Sequence, residues 1–389
     1  MYELHIALRH ISARKRLTFF SVFAVALAIG VIVVFMSMMT GFTDELVEST
    51  IENSPHIVVS PQNNDEEVIH FYRYYSEQIV DNEGIIGVSP IFKGQAALQY
   101  KDNAKGVNLN GIDPLAEDSV MGIEDDIVSG SFFALSRTNN GVVIGDKLAE
   151  ELEVKFGDSV DLVNPEAEYF SYKVVGIFDS GTPNDETAAY ARLDSVLDVF
   201  DENEVASKIN IRVHDPYQAD DIAASIEAET GLDSVSWMEA NGEILELLNT
   251  QAVIVWIYYA LIYMIAGFGI ANTLFTVVMD KKSEIGMLMA MGTSRSSITN
   301  IFLIESVILG SMGVILGCII GYFTTISLAS YEISIPSETY FGLTTLPLKT
   351  DIGNYIYAIV FSFLINIVAG VYPARRASKL DPVEAIDTA

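Results

Sequence analysis

The sequence predicts an α-helical membrane protein with four transmembrane helices and a large extracytoplasmic α+β domain inserted between the first and the second. Three observations predict it. Half of the 389 residues are hydrophobic and the mean hydropathy is +0.33, too apolar for one ordinary soluble domain. Four stretches are long enough and sufficiently free of charge to cross about 30 Å of hydrocarbon. Charge is also partitioned: residues 41–250 carry 42 of the 52 acidic side chains and 11 of the 22 basic ones, so the net charge of −30 belongs to one segment, read as lying outside. Such a surface repels phosphate and excludes nucleic acid as a partner, while suiting a salty medium that screens it. A single cysteine, Cys318, rules out an intrachain disulfide.

Residues 1–16 read as an amphipathic helix on the inner membrane surface, with Leu4, Ala7, Leu8 and Ile11 at helical spacing and Arg9, Arg14, Lys15 and Arg16 supplying charge. Leu17–Thr43 is uncharged and forms the first span. It is too long for a signal-peptide core and lacks a small-residue cleavage site, so it is an uncleaved anchor. Residues 44–246 have the texture of a globular domain. Strands are predicted at His56–Ser60, Gln95–Tyr100, Val107–Gly111, Gly141–Ile144, Ser159–Val163, Tyr172–Phe178, Lys208–Val213 and Ser234–Trp237, and helices at Asp146–Leu152, Asp194–Phe200 and Ala219–Thr230. Asp102–Gly106 reads as a hairpin loop and Asn63–Glu67 as an exposed loop.

Helical spacing resumes at Glu239 and is expected to run unbroken into residues 247–279, a stalk and second span without a charged residue. Residues 280–296 form a short basic island, the third span covers 297–328, a short external loop 329–351, the fourth span 352–374, and a cytoplasmic tail 375–389. In the third span Gly310, Gly313, Gly317 and Gly321 give one helix face on which another backbone can approach closely. Of the 11 basic residues outside 41–250, only Lys349 falls in the short external loop, so the positive-inside rule puts both termini and the island in the cytoplasm of a multi-pass cell-membrane protein.

No catalytic constellation emerges. There is no G-x-x-x-x-G-K-[ST] to cradle a nucleotide, and the five histidines show no HExxH spacing for zinc. Asp179-Ser180-Gly181 resembles an aspartic-protease triplet, yet that chemistry needs two carboxylates sharing a proton, so the triplet reads as a turn. Acidic runs such as Glu124-Asp125-Asp126 read as solvated surface. Glu305 is the one ionisable side chain within a span. It is either a working intramembrane carboxylate, paired with an N-terminal Arg or Lys, or a residue at headgroup depth.

Glu284-Ile285-Gly286, then Ala290-Met291-Gly292-Thr293-Ser294-Arg295, Ile298 and Glu305, resembles the signature of permease subunits in the FtsX/LolC/MacB group of ABC transporters. The terminal Pro373-Ala374-Arg375-Arg376-Ala377, Asp381-Pro382 and Glu384-Ala385 is similar to that group's closing motif, and Gly111–Pro114, Val143–Gly145, Gly157–Val160 and Val174–Phe178 match its external-domain pattern. The resemblance implies a MacB-like periplasmic core domain, and a permease closest to the lipoprotein-releasing or MacB-like branches. That permease is not itself an enzyme and works by mechanotransmission, for lipoprotein release or export of a peptide- or lipid-like substrate. It implies a second permease copy, identical or not, membrane lipid, and an external substrate or protein whose identity stays open. A cytoplasmic ABC ATPase would supply ATP and Mg, this chain binding no cofactor itself. ATPase coupling would fall to Lys282, Glu284, Ile285, Gly286, Leu288, Ala290, Gly292 and Arg295, on one helix from Lys282 to Arg295 begun by Glu284 and ended by Gly292. Asn164–Ser171 is shorter than the hook-like hairpin with which the lipoprotein-releasing type holds a chaperone. The rival from another class is a membrane-anchored sensor or adhesin that acts without an ATPase.

Overall fold

The computed structural model describes residues 2–13, 15–62, 67–330 and 347–381. Arg14, Asn63–Glu66, most of the expected external loop 329–351, and Pro382 and Glu384 of the terminal motif lie outside them. The helices are α1 (Tyr2–Ala13), α2 (Lys15–Glu52), α3 (Tyr72–Val80), α4 (Pro114–Met121), α5 (Asp146–Leu152), α6 (Leu193–Val199), α7 (Ala219–Thr230), α8 (Trp237–Ala240), α9 (Gly242–Asp280), α10 (Lys282–Ala290), α11 (Arg295–Ala329) and α12 (Ile352–Ser378). The strands are β1 (Ile57–Ser60), β2 (Ile69–His70), β3 (Ile85–Tyr100), β4 (Asn103–Ile112), β5 (Ile127–Gly130), β6 (Gly141–Gly145), β7 (Ser159–Val163), β8 (Tyr169–Phe178), β9 (Ala188–Arg192), β10 (Val205–Ala206), β11 (Lys208–Val213) and β12 (Asp233–Ser236). Two compact units result: an α+β unit over Leu46–Glu246, and a helical unit made from the chain before and after it.

In the α+β unit the strand pairings close on themselves: β3 pairs β4, β4 pairs β9, β9 pairs β6, β6 pairs β8, β8 pairs β7, and β7 returns to β3. Alternation explains the core of this small barrel. Val107 and Leu109, Val142 and Ile144, Val160 and Leu162, Tyr172 and Val174, and Ala189 and Ala191 are buried i, i+2 pairs that share one apolar cluster. The opposite face of β6 and β8 is covered too, since Val143, Val175 and Phe178 meet Phe132 and Leu135 in a second cluster. This is why every residue of β6 is buried. β3 is 16 residues long and serves three neighbours, pairing β11 through its first half and both β4 and β7 through its second. β11 leads on to β1 and β12.

Several expectations shift here. The turn between β3 and β4 is Lys101-Asp102, with Lys101 at φ +53°, and the rest of the expected Asp102–Gly106 loop is strand. β3 starts ten residues before the expected Gln95. The helix leading to the second apolar stretch is broken at Asn241, where α8 ends and α9 begins. Asp179-Ser180-Gly181 is a turn: Asp179 Oδ1 accepts from Gly181 N at 3.1 Å, and Gly181 has φ +66°. Glu124 is tethered rather than solvated, accepting from Ser131 Oγ at 3.0 Å and Phe132 N at 2.6 Å.

Among the described residues the helical unit contains four helices long and apolar enough to cross a membrane, in α2, α9, α11 and α12. With 39 residues, α9 is about 58 Å long, roughly twice the hydrocarbon thickness. α12 runs through Pro373, which leaves the carbonyl of Ala369 without its usual N–H partner. Along α11 the glycines serve two neighbours rather than one. A Cβ at Gly313 would lie 2.5 Å from Val25, one at Gly317 2.7 Å from the Ala26 carbonyl and Ile29, and one at Gly321 2.8 Å from Val33, all on α2. A Cβ at Gly310 would instead strike Asn366 of α12. Two polar groups between the helices are satisfied across them: Ser306 Oγ donates to the Asn366 carbonyl at 2.7 Å, and Tyr263 OH to the Ala358 carbonyl at 3.2 Å.

Candidate functional site

The polar segment between α9 and α11 folds as α10, a nine-residue helix with defined ends. At its start the Lys281 ammonium pairs with the Glu284 carboxylate, and Glu284 lies in the first turn, where a negative charge suits the exposed N–H groups. Its end is a Schellman closure. Thr293 N donates to the Leu288 carbonyl at 3.1 Å and Gly292 N to that of Met289 at 3.0 Å, while Gly292 adopts φ +97°, which glycine reaches without strain. Ser294 then caps α11 by accepting from Ser297 N at 3.2 Å.

One correction follows. No single helix runs from Lys282 to Arg295; α10 stops at Ala290, and Arg295 is the first residue of α11. The turn that separates them is short because Gly292 and Ser294 each supply a terminal signal.

The two faces of α10 differ. Ile285, only 2% exposed, packs in one cluster with Ala7 of α1, Val277 and Val278 of α9, Ile298, Ile301 and Phe302 of α11, and Ala374 and Ala377 of α12; Leu288 and Met289 pack against that cluster. Gly286 is buried as well. Exposed on α10 are Glu284, Met287 and Ala290, and beyond its end Met291, Gly292 and Arg295, with Met287 48% and Met291 76% exposed. Thus Ile285, Gly286 and Leu288 seat the helix, and Glu284, Ala290, Gly292 and Arg295 remain available to a partner, with Lys282 between these extremes. Met287 and Met291 are exposed residues of this segment that the sequence reading did not mark. Their i, i+4 spacing on a short helix in a polar segment is the signal that marks them.

Glu305 lies one turn from Ile301 and Phe302 and is 2% exposed. Its neighbour is neither arginine nor lysine among the described residues: Oε2 stands 3.5 Å from His10 Nδ1 on α1. The same two helices are joined by Tyr2 OH donating to Ser297 Oγ at 2.8 Å. From the terminal motif, Pro373 is buried, Arg375 and Arg376 are exposed, and the Arg376 guanidinium sits 4.9 Å over the Phe275 ring of α9. Asp381 is exposed.

Two cavities stand out. In the α+β unit a cleft of about 600 Å³ has Arg73, Arg192, Asp113 and Asp194 among its walls. In the helical unit a smaller one of about 300 Å³ is lined by Met36, Met39, Val255, Trp256, Tyr259 and Tyr357.

Residues 256–382 match the model of the FtsX-like permease C-terminal family, and residues 18–229, more than half the chain, match that of the MacB-like periplasmic core domain. Among curated proteins, the lipoprotein-releasing system transmembrane protein LolC of Neisseria meningitidis serogroup B is 26% identical, over 99% of this chain and 98% of its own. LolE of Haemophilus influenzae, of the same system, is 24% identical over 95% and 94%. The macrolide export ATP-binding/permease protein MacB of Hyphomonas neptunium is 25% identical over 78% of this chain and 47% of its own.

Proposed function

The chain belongs to the FtsX-like family of ABC transporter permeases that carry a MacB-like periplasmic core domain, and from that premise we propose that it couples a cytoplasmic ATPase to work done by its core domain outside the membrane. As a member of this family it is a permease component of a multi-subunit transporter, a role that is not itself catalytic.

One observation carries the coupling reading. α10 has a solvent-facing apolar pair, Met287 and Met291, while its other face is seated against four further helices of the same unit. Exposed methionines make adaptable docking contacts. A push on α10 would therefore be passed to α1, α9, α11 and α12 together, because close-packed side chains transmit displacement rather than absorb it. ATP and Mg would be bound by the partner, and this chain would contribute only the docking face formed by Glu284, Met287, Ala290, Met291 and Arg295. In this reading both termini and α10 are cytoplasmic, residues 44–246 are outside, and a second permease copy completes the assembly.

For the substrate, we favour release of a lipid-anchored protein. Support comes from the end-to-end similarity to lipoprotein-releasing relatives and from the cavity beside Trp256 and Tyr259, whose methionine and aromatic walls suit part of an acyl chain while Asp44 and Asn354 add polar edges. The β7–β8 connection is a tight turn closed by Asn164 N donating to the Glu168 carbonyl at 3.2 Å, so a chaperone would need a different handle from a long hairpin.

The test is purification of the full chain from its native membranes in a mild detergent. An ABC ATPase should co-purify in stoichiometric amount, and its hydrolysis should change when acylated protein is added. Recovery of the permease alone would favour a sensor or adhesin and overturn the coupling reading.

A further inference from the structure

Three acidic side chains that nothing in the transport reading uses converge in the α+β unit. Asp146 opens α5 directly after β6, Asp179 follows the last residue of β8, and Asp185 lies in the 3₁₀ turn Pro183–Glu186 that leads to β9. One carboxylate oxygen from each lies within 4.8 Å of the other two. The convergence is built in by the backbone. Asp179 N donates to the Asp126 carbonyl at 3.0 Å, and Gly145 approaches Asp185 so closely that a Cβ there would overlap the Asp185 main chain.

Acidic groups on a polyanionic surface need no ion, and Asp179 is exposed. Asp185 is different: it is 0% exposed. Its Oδ1 accepts from Ser180 N at 3.0 Å and Ser180 Oγ at 2.6 Å, whereas Oδ2, equally buried, has no partner. A buried carboxylate oxygen left unpaired among other carboxylates is costly unless a positive charge sits beside it. The neighbours supply the opposite.

We propose that Asp146, Asp179 and Asp185 hold one Ca²⁺ ion that ties the β6–α5 junction, the end of β8 and the turn before β9 together. The donor set is all oxygen, which selects a hard cation. Two oxygens each about 2.4 Å from a shared ion stand at most about 4.8 Å apart, so separations within 4.8 Å admit Ca²⁺, whose flexible oxygen coordination tolerates uneven ligand positions better than the near-ideal octahedron that Mg²⁺ demands. Ion binding to the folded state alone adds stability by mass action.

The full chain in detergent, stripped with chelator and held in excess KCl to saturate non-specific screening, is titrated with CaCl₂ while heat of binding and unfolding midpoint are followed. A single saturable site is expected, with the midpoint rising as it fills and MgCl₂ at the same concentration giving a smaller rise. Asp179→Asn, exposed and relieved of one repulsion, should fold at least as well as the parent without metal, and should bind Ca²⁺ at least tenfold more weakly. No calcium-dependent rise, an equal response to MgCl₂, or an undiminished rise in Asp179→Asn would overturn the site. None of these outcomes depends on an ATPase, so the transport reading stands or falls separately.

Discussion

The Glu305 carboxylate lies 3.5 Å from Nδ1 of His10, with the two side chains only 2% and 10% exposed. This contact joins α1 to α11 within the cluster that seats α10. A buried carboxylate that loses a polar neighbour keeps its desolvation cost, about 1–3 kcal/mol. His10→Ala should therefore lower the unfolding midpoint, and adding Glu305→Gln should recover most of the loss. If the double variant is as unstable as the sum of the two singles, the pair does not act as a pair.

The α10 faces predict opposite outcomes for two substitutions. Met291→Asp, on the exposed face, should leave the unfolding midpoint within about 0.5 kcal/mol of the parent and weaken ATPase co-purification. Ile285→Ala, on the buried face, should cost about 2–4 kcal/mol through the cavity it opens. A pull-down paired with a melting curve separates them, and loss of ATPase binding in neither variant would remove α10 from the docking surface.

Along α11, Gly317→Ala forces a methyl group to within 2.7 Å of the Ala26 carbonyl and Ile29, and should destabilise by about 1–3 kcal/mol. Gly269→Ala on α9 meets nothing within 4 Å and should be neutral or slightly stabilising. Melting curves in one detergent decide; equal effects at both positions would mean that helix propensity rather than close approach governs.

Lys208 gives a pH signature in the α+β unit. Burial first, and then Lys93, pulls its ammonium from the usual 10.5 down to about 8, against the opposing pull of Glu117. The folded chain thus loses the proton near pH 8 and the unfolded chain near 10.5. Across that window the unfolded state holds more protons, so this residue's contribution to stability rises with pH, its cost being present in full below 8. Lys208→Met should flatten the rise between about pH 8 and 10, read from denaturant midpoints. An unchanged slope would assign the effect to other groups.

Much of this architecture was legible in the chain. Ser159–Val163, Lys208–Val213, Asp146–Leu152 and Ala219–Thr230 were outlined to the residue because alternation or caps mark them. The first half of β3 was not, since Gly87, Pro90 and Gly94 look like breakers. Tertiary packing reverses that reading: a side chain at Gly87 would meet Ser119, and at Gly94 the Phe200 ring, so glycine is there to let α4 and α6 come close. β9 was hidden in Ala188–Arg192, where three alanines carry little strand preference and burial in the barrel decides. At residues 280–296 the sequence marked a short polar segment between two apolar stretches but not its faces, because which side of α10 is buried depends partly on α1 and α12, distant in the chain. Glu305 was visible as an oddity; its partner came from α1, and only the fold brings them together.

β3 has one more consequence. Its 16 residues are hydrogen-bonded to β11 at one end and, at the other, to both β4 and β7. A load applied along the strand is resisted by all of those bonds at once, in shear, rather than broken one after another from an end. The barrel and the β11–β1–β12 strands thus share one continuous strand, so a displacement of either along its axis is opposed by the hydrogen bonds of both.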